Sequence, residues 1–230
     1  MCGITGGIGL HKSFNFTDDI NRMNNSIAHR GPDSEGIYID ETSRVCFGHR
    51  RLAILDLSEL GKQPLIIDDY AISYNGEIYN YIELRTELEL LGVRFNSQTD
   101  TEVILQSYIF WGESCIDKFN GMWAFAIYNP KKQEVFCSRD RFGIKPFYYT
   151  VFDNRLYFSS EIKAFLQIKE WEPKLNISIA YDFLAHSLVS HTNETFLNDV
   201  FDLRGGHNLK IDLSNGIYSI YKYYSYENIS

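Results

Sequence analysis

Cysteine is scarce in these 230 residues and never clustered: Cys2, Cys46, Cys115 and Cys137 are the whole supply. Without a CxxC pair, neither a zinc site nor a disulfide framework is indicated, and a reducing, cytoplasmic setting is expected. Positive charge is also short. The 22 Lys and Arg face 30 Asp and Glu, for a formal charge of −8, and no Lys/Arg cluster stands free of acids. Nucleic acid and membrane are therefore not expected partners. The opening MCGITGGIGL has neither the basic nor the long apolar region of a secretory leader, which also removes the leader-dependent lipoprotein reading. The longest apolar run, MWAFAIY at 122–128, is too short to cross a bilayer. Repeats and low-complexity stretches are lacking as well.

What is present is apolar and aromatic. At 44% apolar content the chain can bury a substantial core as one domain, or as one domain plus a short extension. The 16 Tyr, 16 Phe and 3 Trp favour β-rich layers, where large rings suit a half-buried pleated surface. Strands are predicted at 2–10, 44–56, 70–80, 121–129, 134–140, 146–150, 155–160, 207–213 and 217–223, the third broken at Asn75-Gly76. Helices are predicted at 17–29, capped by Thr17 or Asp18, at 81–92 and at 100–112, with a short one before the last strands. GMWAFAIYN at 121–129 is apolar on both faces, as a central strand covered on both sides would be. Two sheets flanked by helices is the economical plan.

Cys2 is the first chemical candidate. A cysteine nucleophile needs a base, and none of the six histidines sits in a constellation that the sequence supports; His29 and His49 each precede an arginine, a weak signal. With Met1 removed no histidine is needed, because the Cys2 α-amine has an ordinary pKa of about 7.7–8 and sits in the same residue as the thiol. The opening alone supports a buried structural thiol equally well. Asn75 and Gly76 offer an amide and a backbone N–H of the kind an oxyanion hole uses, or an ordinary hairpin turn. Arg51 can clamp a carboxylate through paired N–H bonds or merely solvate a strand edge, and Asp100 can hold an ammonium or cap a helix. Together these groups match an amino acid with a side-chain carbonyl.

The chain resembles the glutaminase domain of the class II, N-terminal-nucleophile glutamine amidotransferases, in particular that of glutamine-hydrolysing asparagine synthetase. The resemblance rests on MCGI at 1–4, HRGPDS at 29–34, RLAILD at 51–56, QPL at 63–65, YNGEIYN at 74–80, TDTEVIL at 99–105, FNGMWAFAIYN at 119–129, RDRFGIKPFYY at 139–149 and FSSEIKAF at 158–165. Several motifs in series carry weight that one alone lacks. The resemblance implies an α+β, four-layer αββα sandwich of two mainly antiparallel sheets. It implies a glutaminase domain over 2–212, then a final strand and the start of a linker over 213–230.

By position the resemblance makes Cys2 the nucleophile and its amine the base, with Asn75 and Gly76 as oxyanion donors. Arg51 would take the glutamine α-carboxylate and Asp100 and Glu77 the α-ammonium side, with Leu52, Ile54 and Leu55 lining the pocket. HRGPDS and RDRFGIKP are assigned to architecture and to the face toward a neighbouring domain. No metal or cofactor is expected for the glutaminase reaction; ATP and Mg are expected only in a synthetase domain, whose Ser-Gly-Gly-x-Asp-Ser loop does not occur here. The expected partners are glutamine and a synthetase domain or subunit that receives ammonia, with a homodimer left open. The chain would be either a fragment or a free-standing glutaminase subunit. LRGGH at 203–207 departs from the family's Leu-Pro-Pro-Gly-His and puts that linker's rigidity in question. A relative with another ammonia acceptor and a catalytically silent docking module are the alternatives.

Overall fold

The computed structural model describes residues 1–42, 44–53 and 59–225. Twelve strands are present among them: β1 Gly3–Gly9, β2 Ser34–Ile39, β3 Val45–Arg51, β4 Leu65–Ile67, β5 Tyr70–Ile78, β6 Gly121–Asn129, β7 Glu134–Arg139, β8 Tyr148–Phe152, β9 Arg155–Ser159, β10 Val200–Asp202, β11 His207–Asp212 and β12 Ile217–Lys222. They form two six-stranded sheets, ordered β10-β8-β9-β1-β3-β2 and β12-β11-β7-β6-β5-β4. Every ladder in both is antiparallel. The helices are α1 Thr17–Ser26, α2 Tyr81–Leu90, α3 Asp100–Trp111, α4 Cys115–Lys118 and α5 Ile177–His186.

Side-chain alternation turns these strands into layers, because successive residues of a strand face opposite ways. Along β6, Ala124, Ala126 and Tyr128 pack against Ile4, Ile8 and Phe47 of the other sheet. Trp123, Phe125 and Ile127 turn the other way, onto Val103, Ile104 and Tyr108 of α3. On the first sheet, Cys46 and Tyr157 face outward to meet Ile20, Met23 and Ile27 beside α1. The result is the αββα sandwich, with the doubly apolar β6 in the interior of its sheet as its composition predicts.

Three local departures have clear causes. The stretch 70–80 is not broken at Asn75-Gly76: β5 runs through it, pairing Asn75 with Ala124 and Gly76 with Trp123. Glycine is needed there for close approach, since a Cβ at 76 would lie 2.2 Å from the Met122 carbonyl oxygen. The strand predicted over 44–56 ends at Arg51, and Leu52 and Ala53 leave the ladder; positions 54–56 lie outside the described residues. Neither Thr17 nor Asp18 caps α1. Phe16 occupies that place and the Thr17 N–H is taken instead by Asn15 Oδ1 at 3.2 Å. The short edge strands β2, β4 and β10 carried too little alternation to be predicted.

Past β7, Asp140 organises the turn at 140–147. Its carboxylate accepts from the N–H groups of Phe142, Ile144 and Lys145 at 3.1, 3.0 and 2.9 Å and from Trp123 N–H at 3.3 Å. The 203–207 stretch is tied to the same point: Gly206 N–H donates to the Asp140 carbonyl at 2.8 Å, and Gly206 sits at φ +69°, a left-handed conformation that glycine tolerates. Asp140→Ala is expected to destabilise the protein by about 3 kcal/mol or more, because buried N–H groups lose their acceptor. Denaturant unfolding checks this, with Asp140→Asn expected to cost less.

Candidate functional site

Two interior strands, one from each sheet, converge on a single cavity. Cys2 directly precedes β1, which lies between β9 and β3, and Asn75 and Gly76 sit on β5 between β4 and β6. Polar bonds hold the two sheets together at this end. His49 Nε2 donates to the Tyr74 carbonyl at 3.0 Å, and Ser73 Oγ donates to the Gly48 carbonyl at 2.9 Å. The cavity between them has a volume of about 320 Å³, at the small end of ligand pockets. Cys2, Arg51, Leu52, Asn75, Gly76, Glu77 and Asp100 all line it. Ile54 and Leu55 lie outside the described residues.

The Cys2 thiol sits between two groups of one residue, accepting from Leu52 N–H at 3.4 Å and donating to Leu52 C=O at 3.6 Å. Burial pushes the thiol pKa up, while the Leu52 N–H and the Arg51 guanidinium pull it back. Arg30 Nε donates to the Cys2 carbonyl at 3.0 Å and fixes the backbone at that point. Across the cavity, the Nδ2 of Asn75 is buried and has no hydrogen-bond partner. It is one of several buried side-chain donors without a partner, but one that belongs to a residue lining the same cavity as the thiol.

Asp100 does not cap its helix. Thr99 takes the cap, accepting from Glu102 N–H at 3.2 Å, and this leaves the Asp100 carboxylate to accept from Tyr74 OH at 2.8 Å and Ile78 N–H at 3.0 Å. Burial raises the Asp100 pKa against those two bonds. Glu77 is likewise raised, by burial and then by Asp100. A cationic ligand group between the two carboxylates would relieve both effects.

No histidine is among the described residues lining the cavity. His29 is on the surface, 2.8 Å from Glu161 Oε1. His49 is fully buried, and burial together with the nearby Arg51 lowers its pKa to about 4, so it is neutral at physiological pH.

Sequence reasoning missed several lining residues: Gln63, Tyr74, Thr101, Met122, Ile144 and Lys145. Gln63 lies in the QPL motif and braces the site. Its Oε1 accepts from Tyr74 N–H at 2.7 Å and its Nε2 donates to Thr101 Oγ1 at 3.2 Å. Lys145 belongs to RDRFGIKP, read above as architectural. Arg139 and Arg141 do fill that role, donating to the carbonyls of Lys145 and Phe119, but the Asp140-held turn swings Ile144 and Lys145 into the cavity. Among the described residues no group of three or more His, Cys, Asp or Glu is placed to hold a metal ion, and no helix is long and apolar enough to cross a membrane.

Two antiparallel sheets packed face to face between helical layers, with a cysteine leading an interior strand into the cavity, are the fold of a glutamine amidotransferase domain. The same fold is found in the glutamine phosphoribosylpyrophosphate amidotransferase of Bacillus subtilis, which superposes with a TM-score of 0.69 over 97% of this chain and 49% of its own, at 18% identity. The family model described as glutamine amidotransferase domain matches residues 1–224, and the chain belongs to that family. Among curated relatives, asparagine synthetase (glutamine-hydrolyzing) 1 of Bacillus subtilis is 47% identical over 72% of this chain and 27% of its own length. A Methanocaldococcus jannaschii protein provisionally named asparagine synthetase (glutamine-hydrolyzing) 2 is 42% identical over 99% of this chain and 47% of its own. The chain thus spans less than half the length of these two relatives.

Proposed function

We propose that this chain hydrolyses glutamine to glutamate and ammonia through a Cys2 thioester, and that the ammonia serves asparagine synthesis by a synthetase domain or subunit. The unpartnered Nδ2 of Asn75, buried in the cavity that Cys2 lines, carries the reading. In this scheme Met1 is removed and the Cys2 amine takes the thiol proton. The sulfur attacks the side-chain carbonyl carbon, and the resulting oxyanion is held by Asn75 Nδ2–H and Gly76 N–H. Collapse returns the proton to the departing nitrogen as ammonia. Water, deprotonated by the same amine, then cleaves the thioester. Arg51 binds the α-carboxylate in paired fashion, and Asp100 and Glu77 take the α-ammonium. The relatives' names support the acceptor; ATP and Mg would be used in that synthetase step.

Processed, chelator-treated protein is expected to release ammonia from glutamine without ATP, and from asparagine far more slowly. The shorter side chain draws the carboxamide away from donors fixed relative to Arg51. No ammonia above buffer, with a free Cys2 N-terminus confirmed by mass, would overturn the proposal. Arg51→Ala should weaken glutamine and glutamate binding alike, since both present the same α-carboxylate; inhibition by glutamate reads this separately from turnover.

A further inference from the structure

Lys145 lines the cavity wall with its ammonium outside ion-pair distance of any carboxylate among the described residues, Glu77 being the opposite charge that acts on it most strongly. The residue is 4% exposed, and its ammonium makes a single hydrogen bond, to the thioether sulfur of Met1 at 3.4 Å. A thioether is a weak acceptor, and a buried ammonium without a carboxylate or carbonyl partner is costly. Among the described residues Lys145 makes no ion pair. Its one partner is moreover the residue that the proposed processing removes. Three backbone N–H groups of the turn nonetheless bond to Asp140, fixing this stretch with Lys145 in the cavity wall.

We infer that Lys145 is a further residue of this site, the cation that holds the Cys2 thiol, and the Cys2 amine once Met1 has gone, toward their deprotonated forms. The inference rests on the reading of Cys2 as the nucleophile. A like charge beside an amine and an opposite charge beside a thiolate act in the same direction, each lowering the proton affinity. The N-terminal ammonium and Arg51 both lower the proton affinity of the Cys2 thiol, and the ammonium belongs to the residue that the proposed processing removes; the Nη2 of Arg30 is buried nearby without a hydrogen-bond partner. Arg51 on β3 is assigned to the substrate carboxylate, the rest of the Arg30 guanidinium is committed to the Cys2 carbonyl and Glu161, and Glu77 on β5 and Asp100 on α3 are anions that oppose deprotonation. Asp140 is occupied by backbone N–H groups. The Tyr74 phenol donates to Asp100. Burial and Arg30 pull the Lys145 pKa down, while Glu77 first and then Cys2 and Asp140 raise it, so the ammonium shares the cavity with both the Glu77 carboxylate and the thiol.

Alkylation of Cys2 by iodoacetamide, followed by mass spectrometry against pH on processed protein, tests this without using glutamine. The other three cysteines are fully buried and do not compete. Relative to wild type, Lys145→Met and Lys145→Gln are expected to raise the midpoint of the rate profile by about one pH unit, which is about tenfold slower alkylation below both midpoints. Lys145→Arg should restore the wild-type profile. Two neutral variants guard against one that fails to fold, and removing an unpaired buried charge should not lower the melting temperature. Neutral variants that titrate with wild type would overturn the inference, as would an upward shift shared by Lys145→Arg, which would trace the effect to packing and not charge. Ammonia release fails independently of this measurement: a wild-type protein that hydrolyses glutamine but shows no Lys145 dependence loses only the role of Lys145.

Discussion

Retention of Met1 is expected to abolish glutamine hydrolysis while leaving the fold intact. The peptide bond to Met1 converts the Cys2 amine to a non-basic amide, and the Met1 side chain occupies the cavity wall beside the thiol. No histidine stands ready to replace the lost base. His49 is held neutral with its Nε2 proton bonded to the Tyr74 carbonyl, and His29 points to Glu161 on the surface. Replacing His29 alone should leave the chemistry in place. In processed protein the rate at low glutamine should fall as the amine protonates, with an apparent pKa of about 7.7–8 if the amine is unperturbed and lower if nearby cations act on it. The measurement compares a processed protein with one blocked from processing, each N-terminus verified by mass. Full activity in the Met1-retaining form would show that Cys2 does not work through its own amine.

Asn75→Ala is expected to lower kcat by roughly a hundredfold or more, about 2.7–4 kcal/mol of transition-state stabilisation, with a much smaller change in glutamine binding. The donor is aimed at charge that appears only as the carbonyl is attacked. Its effect on stability should run the other way. Because Nδ2 has no partner within the protein, removing it relieves an unsatisfied buried group, and the melting temperature should hold or rise. A variant that loses stability and activity together would mean that Asn75 is a structural residue.

Much of this was legible because composition and architecture answer to the same constraint. The strand 121–129 is apolar at every position from Met122 to Tyr128, and only a strand sandwiched between a second sheet and a helical layer tolerates that. The break expected at Asn75-Gly76 failed for an equally physical reason. The dipeptide that makes the tightest hairpins also makes the closest strand contacts, and only the neighbouring Met122 carbonyl decides between them. Thr99 took the cap that Asp100 might have filled because Asp100 has better donors in Tyr74 OH and Ile78 N–H, contacts that close only in three dimensions. Lys145 was invisible for the same reason. It lies 143 positions along the chain from Cys2, and nothing in RDRFGIKP marks which of its cations turns inward.

The placement of the thiol at the head of β1 ties its geometry to the most protected part of the molecule. β1 is buried along its whole length and paired on both sides, to β3 and β9, and β5 is likewise flanked on both sides. Cys2 stands one residue outside this ladder, held there by Arg30 Nε on its carbonyl, so short of fraying at that one residue only parting of the sheets separates it from Asn75. Inactivation and unfolding should therefore trace one curve on heating or in denaturant, and the amides of β1 and β5 should exchange with solvent among the slowest in the protein.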